Sequence, residues 1–281
     1  MLVRPKMSGY RIAHRVCSPV VEIRRLGVED VPECMKLITD RGWAWTPAQW
    51  ELMLVLGPGW GAFDESGLVG TAMTTPYPEM QAISGVLVAS RAGRRGIGTR
   101  LMSHVSGAGP STLYATDMGE PLYARLGFHP VGATTDYHGV FRGNASGVSR
   151  EATPADAEAL AALDHEVSGF TRPELWRWLL DPATPHTVRM TDSGVVATRP
   201  NPEGITIGPL IAPSSAEACR LVSDVATGRV RVDTGDADVG AYLLEQGFEK
   251  RTGGCTLMVR GADDVPGDRS RYFAPASLAL G

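Results

Sequence analysis

Cysteine is scarce in this chain, and what there is lies scattered. Cys17, Cys34, Cys219 and Cys255 form no CxxC pair. That removes the usual zinc-site and disulfide-framework patterns and points to a reduced, cytoplasmic setting. No run of about 18 apolar residues occurs, so no membrane-spanning helix is expected. A basic excess is missing too: the net charge is -4, whereas general nucleic-acid binding rests on basic patches that release counterions. Neither a GK[ST] phosphate loop nor a GxGxxG fingerprint is present, so the two commonest nucleotide-binding patterns are excluded. The start, Met1 to Val20, carries Arg4, Lys6, Arg11 and Arg15 but no apolar block of the signal-peptide kind. Residues 1–19 read as a flexible tail.

What remains is ordinary globular material. The chain has 281 residues, 43% hydrophobic and 21% charged, enough for roughly two domains with real cores. Val21 to Arg24 alternates as a strand. Val28, Val31, Met35 and Ile38 follow at helical spacing. Thr46-Pro47 is a cap followed by proline at the first helical position, so a second helix runs to about Leu56. Three strand-like runs follow, at Trp60 to Phe63, Leu68 to Thr75 and Met80 to Ala89, with a turn at Asp64 to Gly67. Gly96 to Val105 reads as a helix, Ser111 to Thr116 as a strand, Glu120 to Leu126 as a short helix, and Phe128 onward as a final extended stretch. The order predicts an α/β (α+β layered) fold with a mixed central sheet flanked by helices. Gly143, Asn144, Ser146, Gly147 and Ser149 mark a junction. Beyond it helices and strands alternate again, up to a strand at Cys255 to Val259 and a tail from about 263 to 281.

The second half repeats the first. Leu122-Tyr123-Ala124-Arg125-Leu126-Gly127-Phe128 aligns with Tyr242-Leu243-Leu244-Glu245-Gln246-Gly247-Phe248. A repeat of about 120 residues is two copies of a domain, not a solenoid, whose periods run about 20 to 50. The expected domains are 20–145 and 150–262.

The segment that carries chemistry is Val86 to Leu101. A strand leads into Ser90-Arg91-Ala92-Gly93-Arg94-Arg95-Gly96-Ile97-Gly98-Thr99, which opens a helix. Free N–H groups in a helix's first turn, aided by its dipole, form an anion site. Gly96 and Gly98 let backbone approach a diphosphate, and Arg91, Arg94, Arg95 and Arg100 supply charge. The plain alternative is a glycine-rich turn with solvated arginines.

This segment resembles the signature of the GNAT (Gcn5-related N-acetyltransferase) superfamily, [Q/R]xxGx[G/A] after a strand. Gly93 to Gly98 fits it except that Gly93 replaces the first residue. Leu122 to Phe128 resembles the family's LYxxLGF segment. The resemblance implies acetyl-CoA (coenzyme A) as cosubstrate, with no metal. It would be held by Val86, Leu87, Val88, Arg94, Arg95, Gly96, Ile97, Gly98 and Thr99, in a gap between the strands at Val86–Val88 and Leu113–Thr116. It further implies direct attack by an amine, with Tyr123 as the acid for the departing thiolate; packing beside Phe128 is the alternative role for Tyr123. Glu79 and Asp117 are candidates for the base, and each is more often a solvated loop carboxylate. Trp43, Trp45 and Trp50 either border the acceptor or cap the core.

The second half lacks these features. Leu243 stands in place of Tyr123, and the loop Ala212 to Glu217 has neither glycine nor arginine. It resembles the degenerate C-terminal domain of bacterial tandem GNAT proteins, with the expected job of walling the acceptor cleft. Asp164-His165-Glu166 reads as a surface face, because consecutive helical residues do not converge on one point. The function expected is N-acetyl transfer to the primary amine of a small molecule. A non-catalytic acyl-CoA sensor is the alternative, and a homodimer is compatible with either.

Overall fold

A computed structural model of the protein describes residues 21–43 and 45–280. The first half runs β1 (Glu22–Arg25), α1 (Val31–Arg41), α2 (Pro47–Leu56), β2 (Gly59–Asp64), β3 (Gly67–Thr75), β4 (Gln81–Val88), α3 (Ile97–Val105), β5 (Ser111–Thr116), α4 (Glu120–Arg125) and β6 (His129–Val140). The second runs β7 (Arg150–Glu151), α5 (Ala157–Ser168), α6 (Pro173–Leu179), β8 (Thr187–Met190), β9 (Val195–Asn201), β10 (Gly204–Ile211), α7 (Ser215–Val225), β11 (Arg229–Thr234), α8 (Ala237–Glu245), β12 (Phe248–Arg260) and β13 (Tyr272–Ala274). Capping chemistry sets several boundaries. Thr46 Oγ1 accepts from Gln49 N–H while the Gln49 side chain accepts from Thr46 N–H, a reciprocal box that starts α2. Among the described residues, no helix is long and apolar enough to cross a membrane.

The two halves share one 13-stranded sheet rather than owning one each. Its path is β1-β2-β3-β4-β5-β12-β6-β11-β10-β9-β8-β7, with β13 paired to β10. The last strand of each half has crossed over. β12 inserts between β5 and β6, pairing Leu257 with Tyr114 on one side and with Gly132 on the other. β6 in turn pairs with β11 of the second half from Arg229↔Val140 to Thr234↔Thr135. The stretch after Phe128 was expected to finish the first half's own sheet. It completes the second half's instead.

Packing follows the same sharing. One core cluster runs from Val31 and Trp50 in the first half to Leu160 and Trp176 in the second. Asp164 is a correction to the surface reading. It is fully buried, receives Arg172 through Nε at 2.8 Å and Nη2 at 2.9 Å, and accepts from Trp176 Nε1 at 3.1 Å. A two-pronged guanidinium–carboxylate contact of this kind is sound only where the remaining lone pairs are also met, as Trp176 does here.

The stretch after residue 262, expected as a tail, is built into the fold. Phe273, Ala274, Ala276, Ala279 and Leu280 are all buried. Leu210↔Ala274 and Ile211↔Tyr272 pair β13 to β10, and Tyr77 Oη donates to the Leu280 carbonyl at 3.0 Å. The chain therefore returns from the second half to touch the first.

Strand exchange makes each half depend on the other. A fragment ending at residue 145 would leave the β5 edge open where β12 belongs, and an unpaired edge invites aggregation. We expect that fragment to be insoluble or to melt without cooperativity, and co-expression with residues 146–281 to restore a single sharp transition by calorimetry. A soluble, cooperatively melting fragment 21–145 would show that β12 is dispensable.

Candidate functional site

β4 and β5 are parallel neighbours only where they begin. Gln81↔Ser111 and Ala82↔Thr112 pair, and nothing pairs beyond them. From Ile83 onward β4 stays with β3 while β5 stays with β12. A wedge-shaped gap therefore opens between Val86–Val88 and Leu113–Thr116, as the family resemblance implies.

A bulge sits in β4 beside this gap. Thr71 pairs with Leu87 and Met73 with Ser84, so β4 carries one more residue than β3 over the same span. A bulge leaves a residue out of the ladder and re-aims its neighbours. Gly85 absorbs the bend at φ +56°, a left-handed conformation that side chains resist. Its carbonyl is fixed by Thr71 Oγ1 at 2.7 Å. Trp45 packs over the same point, its ring 3.5 Å from where a Gly85 Cβ would lie. The bulge thus places peptide groups with no strand partner on the β5 side at the edge of the gap.

The end of β4 leads to the start of α3. No side chain caps this helix. Its first internal bond joins Arg100 N–H to the Gly96 carbonyl at 3.0 Å, so Ile97, Gly98 and Thr99 N–H have no acceptor within the helix. Gly98 faces Leu122 of α4: a Cβ there would lie 3.3 Å from Leu122 Cδ2 and 3.7 Å from Val88 Cγ2. A side chain here would press on Leu122 and narrow the corner. An uncapped positive helix end beside an open gap suits a diphosphate followed by a slender arm.

The arginines divide. Arg95 pairs with Asp64 at 2.9 Å. Arg100 donates to the Val21 carbonyl at 2.7 Å. Arg91 reaches the carbonyls of Ser66 and Leu68. Arg94 is exposed, has no partner among the described residues, and is held at φ +60°. That conformation costs a non-glycine residue about 1 kcal/mol. Of the two arginines expected to hold phosphate, Arg94 is therefore the unengaged one, and Arg95 is already committed to a carboxylate. Sequence could not separate them, because Asp64 lies across a hairpin.

Tyr123 stands on α4 with its ring against Phe128, centroids 6.1 Å apart, and over Gly119, whose missing Cβ leaves it room. It is buried, and its hydroxyl has no hydrogen-bond partner among the described residues. Burial, with the Cys255 thiol nearby, pushes its pKa up to about 12. The hydroxyl therefore keeps its proton at any ordinary pH. Burial also pushes the Cys34 thiol to about 12 and those of Cys219 and Cys255 to about 11. None of these three is a thiolate nucleophile. Cys17 lies outside the described residues.

Glu79 and Asp117 are not brought together. Glu79 precedes β4 and Asp117 follows β5. In parallel strands those positions lie at opposite ends, roughly 20 Å apart at the rise of an extended chain. Glu79 is held by Thr171 of the second half, whose Oγ1 donates at 2.6 Å and N–H at 3.2 Å. Partial burial works against its ionisation, but the Thr171 hydrogen bonds win and hold the carboxyl below its ordinary value. Asp117 lines an open pocket of about 450 Å³ with Thr134, Arg251 and Cys255. The tryptophans form one edge-packed series, Trp43 to Trp45 at 5.9 Å and Trp45 to Trp50 at 5.2 Å. Trp50 is fully buried, so it is core, while Trp45 reaches the bulge. No group of His, Cys, Asp and Glu suited to a metal occurs among the described residues.

The second half contains the counterpart of every element and closes each one. β10 and β11 pair from Ile205↔Val230 to Ile207↔Val232 and then part. β13 enters that opening along β10. The N-terminus of α7 is capped by Ser214 Oγ, which accepts from Glu217 N–H at 3.3 Å. Leu243, at the position of Tyr123, is fully buried.

Comparison with known proteins finds an acetyltransferase match in each half. Residues 30–128 match the family described as Acetyltransferase (GNAT) family, and residues 160–274 match one described as Acetyltransferase (GNAT) domain. The chain is 26% identical over 282 residues to Uncharacterized N-acetyltransferase YitH of Bacillus subtilis, covering 93% of this chain and 99% of that protein. Among solved structures, a candidate acetyltransferase from Pyrococcus horikoshii superposes with TM-score 0.81 at 17% identity, covering 93% of this chain and 96% of that one. A tandem GNAT protein from the clavulanic acid biosynthesis pathway superposes with TM-score 0.59 at 15% identity, covering 87% and 100% respectively. At such identities the structural likeness establishes the fold.

The uncapped α3 end can be tested with opposite signs on stability and binding. Thr99→Glu puts a carboxylate in the first turn, which stabilises a helix by about 0.3–1 kcal/mol. The same charge occupies the anion site. We expect an unchanged or slightly raised melting temperature together with at least tenfold weaker binding of coenzyme A by calorimetry. Unweakened binding would move the phosphate site elsewhere.

Proposed function

Because the chain is a tandem member of the GNAT acetyltransferase superfamily, we propose that its first half transfers an acetyl group from acetyl-CoA to the primary amine of a small molecule. The observation that carries this reading is the contrast between two equivalent gaps. The one between β4 and β5 is open beside an uncapped helix; the one between β10 and β11 holds the chain's own β13.

Acetyl-CoA supplies an activated thioester. The N–H groups of Ile97, Gly98 and Thr99, with Arg94 beside them, would hold its diphosphate. Backbone of Val86, Leu87 and Val88 would line its arm. A bulge N–H at the edge of the gap donates to the carbonyl oxygen as charge builds there, worth about 3 kcal/mol in well-studied oxyanion sites. The amine attacks directly, since the described cysteines are held as thiols. The new C–N bond forms as the C–S bond breaks, and Tyr123 gives its proton to the departing sulfur. The amine's proton leaves to water. Asp117 follows β5 at the end where α4 carries Tyr123, whereas Glu79 lies at the paired start of β4, held by Thr171, away from that step.

Tyr123→Phe tests the assignment. Loss of a positioned acid typically costs 10²-fold or more in rate, so kcat should fall by about that factor while the KM for acetyl-CoA holds. The pH dependence has a definite sign. The acid must be protonated, so activity is lost as pH rises through its pKa. A free tyrosine would begin that loss near pH 10; at about 12 it moves higher, and wild-type kcat should show no alkaline fall below pH 10. Undiminished turnover by the Phe variant would remove Tyr123 from the reaction. Tight acetyl-CoA binding with no thiol release across a broad amine panel would replace catalysis by sensing.

A further inference from the structure

Two buried hydroxyls with nothing to bind lie at the narrow end of the gap. Ser84 stands on β4 two residues past the last pair with β5 and directly before the Gly85 bend. It is 7% exposed, and its Oγ has no hydrogen-bond partner among the described residues. Thr75, on β3 and paired with Ala82, is 2% exposed and has the same property at Oγ1. Burying a hydroxyl without a partner is costly, so a buried pair of them is placed to receive hydrogen bonds from a ligand.

Both hydroxyls face away from the phosphate end. Gly70 of β3 turns toward Ile97 and Leu101 of α3. Side chains alternate along a strand, so Met73 and Thr75 turn to the other side, and Ser84, paired with Met73, turns with them. Across the gap, Ala115 pairs with Thr256, whose hydroxyl donates to Glu120 of α4. Tyr114 therefore points to the opposite side, the side of Ser84. Its hydroxyl has no hydrogen-bond partner among the described residues, and burial pushes its pKa up, so it keeps its proton. The α3 side is the one assigned to the phosphates, which leaves this side to the acceptor. The charged groups nearest Tyr114 are engaged: Arg172 with Asp164, Asp233 with Arg231 and Arg269 with Asp264. Glu79 accepts from Thr171. An ammonium carried here would shed its water and meet no free anion. A neutral N–H needs only a hydroxyl to accept it.

We propose that Ser84 Oγ, with Thr75 and Tyr114 beside it, accepts a hydrogen bond from the attacking amine, and that the acceptor is a weakly basic primary amine of the arylamine class, which arrives uncharged. The inference rests on the acyltransfer reading and names its substrate class and the residue that orients it. Ser84 lies next to the bulge peptides assigned to the thioester oxygen. With one N–H held there, the nitrogen lone pair is left for the carbonyl carbon. An arylamine is uncharged near neutral pH because its lone pair is shared with the ring. That flat ring suits the indole of Trp45, which packs at Gly85.

The test uses the full chain with acetyl-CoA and follows thiol release with pairs of primary amines of similar shape and different basicity: aniline with benzylamine, 4-methylaniline with 4-methylbenzylamine and 5-aminoindole with tryptamine. Near neutral pH at least one arylamine should show a kcat/KM tenfold or more above that of its alkylamine partner. Ser84→Ala should lower that kcat/KM tenfold or more while coenzyme A affinity is unchanged. The melting temperature of the variant should hold or rise, because a buried hydroxyl without a partner has been removed. A hydroxyl that served only the fold would instead lower stability when lost. Equal or faster turnover of the alkylamines overturns the proposal. So does an undiminished rate in Ser84→Ala, a melting temperature that falls with the rate, or no thiol release with any of the arylamines. Failure of coenzyme A itself to bind would instead strike at the acyltransfer reading.

Discussion

The hydrogen-bond ladder that seats β12 between β5 and β6 is the constraint on which the rest of the molecule depends. β5 has one flank paired along its length, to β12, and the other nearly free. That asymmetry allows β4 to part from β5 after two residue pairs without leaving β5 unsupported. A strand held on neither side could not form one wall of a stable gap, since its peptide groups would have too few partners. The open gap in the first half is thus maintained by a strand from the second.

The pseudo-symmetry then makes the differences between halves interpretable. Both copies have a parallel pair that diverges and a helix that begins where the inner strand ends. The first copy leaves its helix uncapped and its gap open. The second caps the helix with Ser214 and fills the gap with β13. The filling strand continues as a strap whose Leu280 carbonyl accepts from Tyr77 of the first half. Closing the second gap and contacting the first half are done by one segment of chain.

Periodicity and turn chemistry made the individual elements readable, because each boundary rests on local signals such as Thr46-Pro47 or the glycines around Gly96. The loop and Tyr123 were readable for the same reason, each being a short contiguous pattern. Strand exchange was not. A strand's side-chain alternation is the same whichever neighbour it pairs with, so nothing in Phe128 to Val140 says that it joins β11. The first part of β12 was hidden by Glu249, Lys250 and Arg251, and β13 by being three residues long next to Pro275. Asp164 was misread as surface because its partner Arg172 comes from the next segment and turns back on it.

The central claim is that the chain carries a single acyl-CoA site, in its first half. Calorimetric titration of the full-length chain with acetyl-CoA measures this directly. The account predicts one molecule bound per chain. Two per chain would contradict the closure of the second gap, and none would contradict the assignment of the first.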